Sequence, residues 1–456
     1  MKEKELFERK PILSAIMSLA LPSILGQIIL VIYNMADTYF VGLAGSDSMI
    51  TAVTVCTPAF MFLSAISNLF GVGGASVIAR ALGGQDLRRV RGTFCFAFWG
   101  CVVLTAVYCV LAGLFSDAFI RFLGGGNPTV HANAKGYLMI AVVWGGLATS
   151  VNTLLSHLIR AQGYSFQASL GIALGGVLNV ILDPIFMFVI FKPGSEVLGA
   201  AAATAVSNAL ALLYFLLILI QKRDRLVISV RPAVHMLQEG IPRDVISVGI
   251  PACLMTFCEN LSYSVLDHLM AASGTAAQAG IGVAKKVNML SHCIVRGMTQ
   301  GVLPLIGYCY ASHNEVRMKK TFSFSVAISL GISLICMGAC LLFSRPLIRI
   351  FVQNESDSLY YGMAFLKILC IGAPFSAFAY STISFFQAVG RGKSSLVLAL
   401  LRKGILDIPL MFILGRFLPT YGYVWATPGA DVLCCLTAVH LLLHSLKTDL
   451  HQAAQR

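Results

Sequence analysis

Charge is scarce in this chain. Only 12% of its 456 residues are Asp, Glu, Lys or Arg, against about 25% in soluble domains, while 57% are hydrophobic. That balance excludes an ordinary water-soluble fold. Catalytic signatures are missing as well: there is no His-Glu-x-x-His, Gly-x-Ser-x-Gly or Walker A pattern, so nothing marks the chain as a hydrolase or a nucleotide-driven enzyme. Paired Cys-x-x-Cys motifs are absent, and most of the 13 cysteines sit inside apolar blocks. There they serve as small hydrophobes, not as zinc ligands or a disulfide framework. No cofactor is expected. The N-terminus lacks a short apolar core and a cleavage site, so it reads as a cytoplasmic tail before a first span.

What the chain has is apolar blocks of membrane-crossing length. Twelve candidate spans cover residues 12–40, 50–70, 93–115, 137–159, 167–191, 197–220, 244–270, 277–307, 321–343, 360–385, 395–415 and 423–445. Blocks this long must be helices, because a lipid-exposed backbone has to satisfy its own hydrogen bonds. The expected fold is therefore all-α: twelve transmembrane helices in two pseudo-symmetric six-helix bundles. Residues 1–220 form the first, 221–243 a cytoplasmic linker, and 244–456 the second.

The net charge of +13 comes from short loops, which indicates membrane topology and not nucleic-acid binding. Of 33 Lys and Arg, six lie in the candidate spans and 27 outside them. With the N-terminus inside, 21 of those 27 are cytoplasmic and six external. The positive-inside rule thus places both termini in the cytoplasm of a cell-membrane protein.

The halves repeat. At a shift of 228 positions Asp86/Asn314, Arg89/Arg317, Thr93/Thr321, Phe94/Phe322, Phe115/Phe343, Ser116/Ser344 and Arg121/Arg349 coincide without a gap. Ile181-Leu182-Asp183-Pro184 is mirrored by Ile405-Leu406-Asp407-Ile408-Pro409. Two halves with the same orientation flank a central cavity about an axis along the membrane normal, an arrangement of transporters. The glycine cluster at Gly71, Gly73 and Gly74 fits close helix packing better than phosphate binding.

Ionisable groups inside spans mark the functional candidates, since each costs about 2.5–3.5 kcal/mol near a helix centre. Asp183 follows Asn179 by one turn and precedes Pro184, whose missing N–H frees a carbonyl. That turn offers hard oxygen ligands for a cation or an acceptor for a proton; the plainer reading is a kink whose Asp satisfies local backbone. By helical rise, Asp183 and Thr204 lie roughly 12 and 10 Å below the outer ends of their helices. Asp37, with Tyr33 and Asn34 on its face, lies at similar depth, unless it is an interfacial residue. Asp37, Asn179, Asp183 and Thr204 are therefore the expected ion site for H⁺ or Na⁺, with Pro22 and Pro184 as hinges. In the second half Lys403 replaces Asn179, so Asp407 is expected in an internal ion pair. Glu259 is either neutralised by Lys285 or a second proton or cation-substrate site. Asp267, Asp431, His157, His268 and His440 are read as structural.

Leu21-Pro22, Gln27 and Asp37 in the first helix, Asn179 with Asp183-Pro184 in the fifth, Thr204 in the sixth and Gly249-Ile250-Pro251 leading to Glu259 together resemble the multidrug and toxic compound extrusion family over nearly the whole chain. The tenth span offers Ser376 and Tyr380 but no aspartate, a departure from some branches. The resemblance implies a V-shaped pair of bundles; the chain is expected to act as a monomer in the lipid bilayer. The resemblance also implies export of small, amphipathic, often cationic organic compounds against H⁺ or Na⁺ by alternating access. A lipid-linked precursor flippase of the same superfamily is the nearest alternative, and a receptor or channel a more distant one.

Overall fold

The computed structural model describes residues 5–43, 47–122, 128–231, 236–237, 240–352 and 357–454. Among these every regular element is helical. The long helical stretches are numbered α1 (Ile12–Leu43), α2 (Asp47–Gly83), α3 (Leu87–Leu114), α4 (Pro128–Trp144 and Gly146–Ala161), α5 (Ser165–Ile190) and α6 (Glu196–Gln221). The second half holds α7 (Ile241–Ala272), α8 (Thr275–Ala311), α9 (Glu315–Leu342), α10 (Asp357–Ile371 and Ala373–Ala388), α11 (Gly392–Leu400 continuing to Phe417) and α12 (Tyr421–Ala454).

Eight of these are long and apolar enough to cross a membrane, and ten if α4 and α10, bent by 46° and 44°, each count as one crossing. The expected count of twelve is not reached by this measure. The two stretches that fall short, α8 and α11, carry Lys285, Lys286 and Arg296, and Arg402, Lys403 and Asp407. Large side chains such as Trp144, Val189 and Leu342 are more than three-quarters exposed, which suits lipid contact and would be costly in water.

The repeat is visible in packing and in local geometry. α1 packs on α5 as α7 packs on α11; α2 on α4 as α8 on α10; α5 on α6 as α11 on α12. Asp86 caps α3 by accepting from the Arg89 N–H at 2.9 Å, and Asn314 caps α9 by accepting from the Arg317 N–H at 3.1 Å. Gln85 and His313, also 228 positions apart, share a left-handed backbone with φ of 60° and 56°. The sharp bends are paired too, at Gly145 and Gly372, and not at Pro22 or Pro184, which lie inside continuous helices.

The halves meet along α1–α8 and α2–α7, and their contacts gather at one end, here called the base, where α1 begins and α2 ends. Gln27 donates to Gln300, Asn68 to Thr256, and Arg89 pairs with Asp244. The segment Glu5–Arg9 lies across the same end: Phe7 stacks on Tyr308, whose hydroxyl donates to Glu8, and Arg317 donates to the Lys10 carbonyl. Of the linker, Val227 is tied to the Gln162 side chain, while 232–235 and 238–239 lie outside the described residues.

Glycine makes this seam possible. A Cβ on Gly301 would lie 2.6 Å from the Ala20 Cα and 2.8 Å from the Leu19 carbonyl, and one on Gly297 2.6 Å from the Ile24 Cα. Both obstacles are backbone and cannot rotate away, so small residues here set the approach of α1 to α8. Gly301→Leu is expected to prise the base apart. Cysteines replacing Gln27 and Gln300 should be joined by a short bifunctional reagent in the parent and largely lose that cross-link in the Gly301→Leu background; unchanged cross-linking would show that this contact does not hold the seam.

Candidate functional site

In the first half, three helices converge on one polar turn. Gly175 and Gly176 of α5 lie against Ala211 of α6 and against Ile29 and Tyr33 of α1, so the neighbouring helices come close enough for side chains to meet. Asn179 and Asp183 are fully buried, and Thr204 nearly so. The Asn179 amide donates to Asp183 Oδ1 and to Thr204 Oγ1, each at 3.2 Å. Asp37 and Tyr33 of α1 and Tyr137 of α4 are near enough to feel the Asp183 charge. Asn34, expected beside them, donates to the Leu30 carbonyl of its own helix.

The chemistry of this pocket lies in what is left over. Asp37 Oδ1, Asn179 Oδ1 and Asp183 Oδ2 are all buried without a hydrogen-bond partner, and no lysine or arginine pairs with either carboxylate among the described residues. Buried polar atoms in folded proteins are rarely left unmatched. Three orphan acceptor oxygens and two like charges make a site that favours a shared proton or one hard cation.

The second half solves the same burial problem differently. Lys403 Nζ lies 2.8 Å from Asp407 Oδ2, with both side chains buried, and Ser262 and Thr427 donate to the same carboxylate at 2.6 and 3.1 Å. The expected internal pair is present. Over Leu401–Ile405 the helix widens by one residue, with the Leu406 N–H bonding to the Leu401 carbonyl, and this brings Arg402 inward beside Lys403. Arg402 bonds Asp431 at 3.0 Å, lies 4.0 Å from Glu259 and covers the Tyr380 ring at 4.0 Å.

Glu259 is therefore not paired with Lys285. Its carboxylate takes Arg296, and the Tyr380 hydroxyl at 2.8 Å, while Lys285 pairs with Asp267. The reason is directional. Side chains on a helix lean toward its own N-terminus. On antiparallel α7 and α8, Glu259 leans to the base and Arg296 away from it, so partners meet several residues out of equal depth. Asp267 and Asp431, read from sequence as structural, are paired with cations. Three cations (Arg296, Arg402, Lys403) balance three carboxylates (Glu259, Asp407, Asp431) at this centre.

Between the halves, near the base, lies a cavity of about 60 Å³ to which α2, α4, α7, α8 and α10 contribute.

The MatE family model matches residues 22–185 and 251–413, one copy in each half. Multidrug export protein MepA of Staphylococcus aureus is 30% identical over 455 residues, 98% of each chain; its namesake in Staphylococcus haemolyticus is 29% identical over 458 residues, 99% of this chain and 98% of that one. A crystal structure of MATE in complex with MaL6 superposes with a TM-score of 0.88 at 23% identity, covering 98% of this chain and all of that one. The outward-facing conformation of a multidrug resistance MATE family transporter of the MOP superfamily gives 0.87 at 22% identity, over 98% and 99% of the two chains. These likenesses carry the fold.

Proposed function

The chain belongs to the MatE family, and from that premise we propose that it is a secondary active exporter. It antiports small, amphipathic, often cationic compounds against H⁺ or Na⁺ across the cell membrane. The observation that carries this reading is the difference between the halves among the described residues: the first keeps carboxylates with buried orphan oxygens and no paired cation, the second a charge-balanced cluster. An exchanger needs a site that can be empty or loaded, and among the described residues the first half offers one. Asp37, Asn179, Asp183 and Thr204 bind the coupling ion, as H⁺ or as Na⁺ held by the first three, and Pro22 and Pro184 let α1 and α5 flex as it arrives. Glu259, locked to Arg296 and Tyr380, serves the cluster and not coupling.

The boundary falls at 221–243 between two rocking bundles, 1–220 and 244–456, and a single chain suffices. With both termini cytoplasmic by the positive-inside rule, the base is the cytoplasmic end, and its contacts hold the state closed to the cytoplasm. Ion and compound must favour opposite states for exchange to follow. Purified protein in proteoliposomes, given H⁺ and Na⁺ gradients separately, should move a fluorescent cationic dye in exchange for one of the ions. Movement under neither gradient, with the dye still bound at equilibrium, would refute ion-driven export.

A further inference from the structure

The base cavity is lined by a cationic side chain that takes no part in the ion site. Arg160, at the end of α4, is only 4% exposed and lines the cavity, and its Nε and Nη1 have no hydrogen-bond partner. No carboxylate pairs with it among the described residues, and none lines the cavity. The other arginine on the wall, Arg296, already has Glu259. A second orphan faces the same space: Gln387 is 5% exposed and its Nε2 is unpartnered.

Arg160 and Gln387 are repeat mates. Arg160-Ala161-Gln162-Gly163 is mirrored 227 positions later by Gln387-Ala388-Val389-Gly390, and Gly163 and Gly390 share a left-handed φ of 86° and 80°. The same turn in each half thus presents an unspent donor side chain to the cavity between the halves. A guanidinium buried with no counter-charge is expensive, and an unmatched amide donor beside it adds to the cost.

We propose that this cavity binds an oxyanion, a carboxylate or phosphate group, held by Arg160 from the first half and Gln387 from the second. At about 60 Å³ it accommodates an acidic group and not a whole drug-sized molecule, whose pockets span roughly 300–1,000 Å³. Because each half supplies one donor, the site is complete only while the base is closed. The inference adds an anionic group to the ligands of the export reading, and equilibrium binding tests it without transport, so either can fail alone.

The test uses the full-length protein in detergent with benzoate, inorganic phosphate and, as a cation control, tetraethylammonium. Benzoate or phosphate should bind the parent and raise its melting temperature. Arg160→Gln should weaken that binding at least about tenfold, as loss of a charged hydrogen-bond donor does, while melting no lower in anion-free buffer. Arg160→Lys should restore part of it. Gln387→Met, close in volume, should weaken it severalfold, and it decides the matter if Arg160→Gln does not fold. None of these changes should alter tetraethylammonium binding. Preference for benzoate assigns the anion to the acidic end of an organic compound, and preference for phosphate to a free inorganic ion. The proposal falls if neither anion binds the parent, or if Gln387→Met and Arg160→Gln both bind like the parent.

Discussion

Asp183→Asn is expected to reduce ion-driven export to background while leaving the purified protein folded. The carboxylate is wholly buried with no cationic partner among the described residues, and one of its oxygens is an orphan. Asparagine keeps an oxygen for the Asn179 amide and removes a buried charge, so melting temperature should hold or rise. Dye binding should persist but no longer respond to pH or Na⁺. Paired measurements of vesicle export and thermal melting check this. Residual export at half the parent rate, or ion-sensitive binding in the variant, would move coupling away from the Asp37–Asp183 site.

Asp407→Asn is expected to act in the opposite sense, on stability. It leaves Lys403 charged, 2% exposed and unpaired, and breaking a buried pair from one side costs about 3–5 kcal/mol. The double variant Asp407→Asn with Lys403→Gln removes both charges and should recover most of that loss, along with most of the export. Denaturation in detergent for the two singles and the double gives the cycle. A double variant no more stable than Asp407→Asn alone would mean that Lys403 is not the partner that matters.

Local features were legible in the sequence because one turn of helix fixes them. Asn179 with Asp183 and Lys403 with Asp407 are each four residues apart, so they had to share a face. The shared caps at Asp86 and Asn314 made the repeat visible through its loops, where apolar similarity could not mislead. Pairings over long separations were not legible. Glu259 and Arg296 lie 37 residues apart and Glu259 and Tyr380 121, and depth alone offered Lys285 as a partner because it ignores the lean of side chains. The sharp static bends, at Gly145 and Gly372, were not legible either. A Cβ on Gly145 would meet Ala205 of α6 at 2.9 Å, and one on Gly372 would meet Pro428 of α12 at 3.1 Å. Those bends answer to neighbours that sequence does not show. Arg160 and Gln387 were hidden for the same reason: each is unremarkable alone, and only the closed base brings them together.

The charge-balanced cluster also bears on how the chain is made. α11 carries Arg402, Lys403 and Asp407, and each charge costs about 2.5–3.5 kcal/mol to insert near a helix centre. Lys403 and Asp407 neutralise each other within the helix, but Arg402 depends on Glu259 from α7, synthesised much earlier, and on Asp431 from α12, synthesised after it. Lone insertion of α11 is therefore unfavourable, and its arginine is matched by both carboxylates only once α12 is in place. A nascent chain stopped short of α12 would leave Arg402 without Asp431, the nearer of its two carboxylates, so the last ion pair to form is also the one that reports a finished protein.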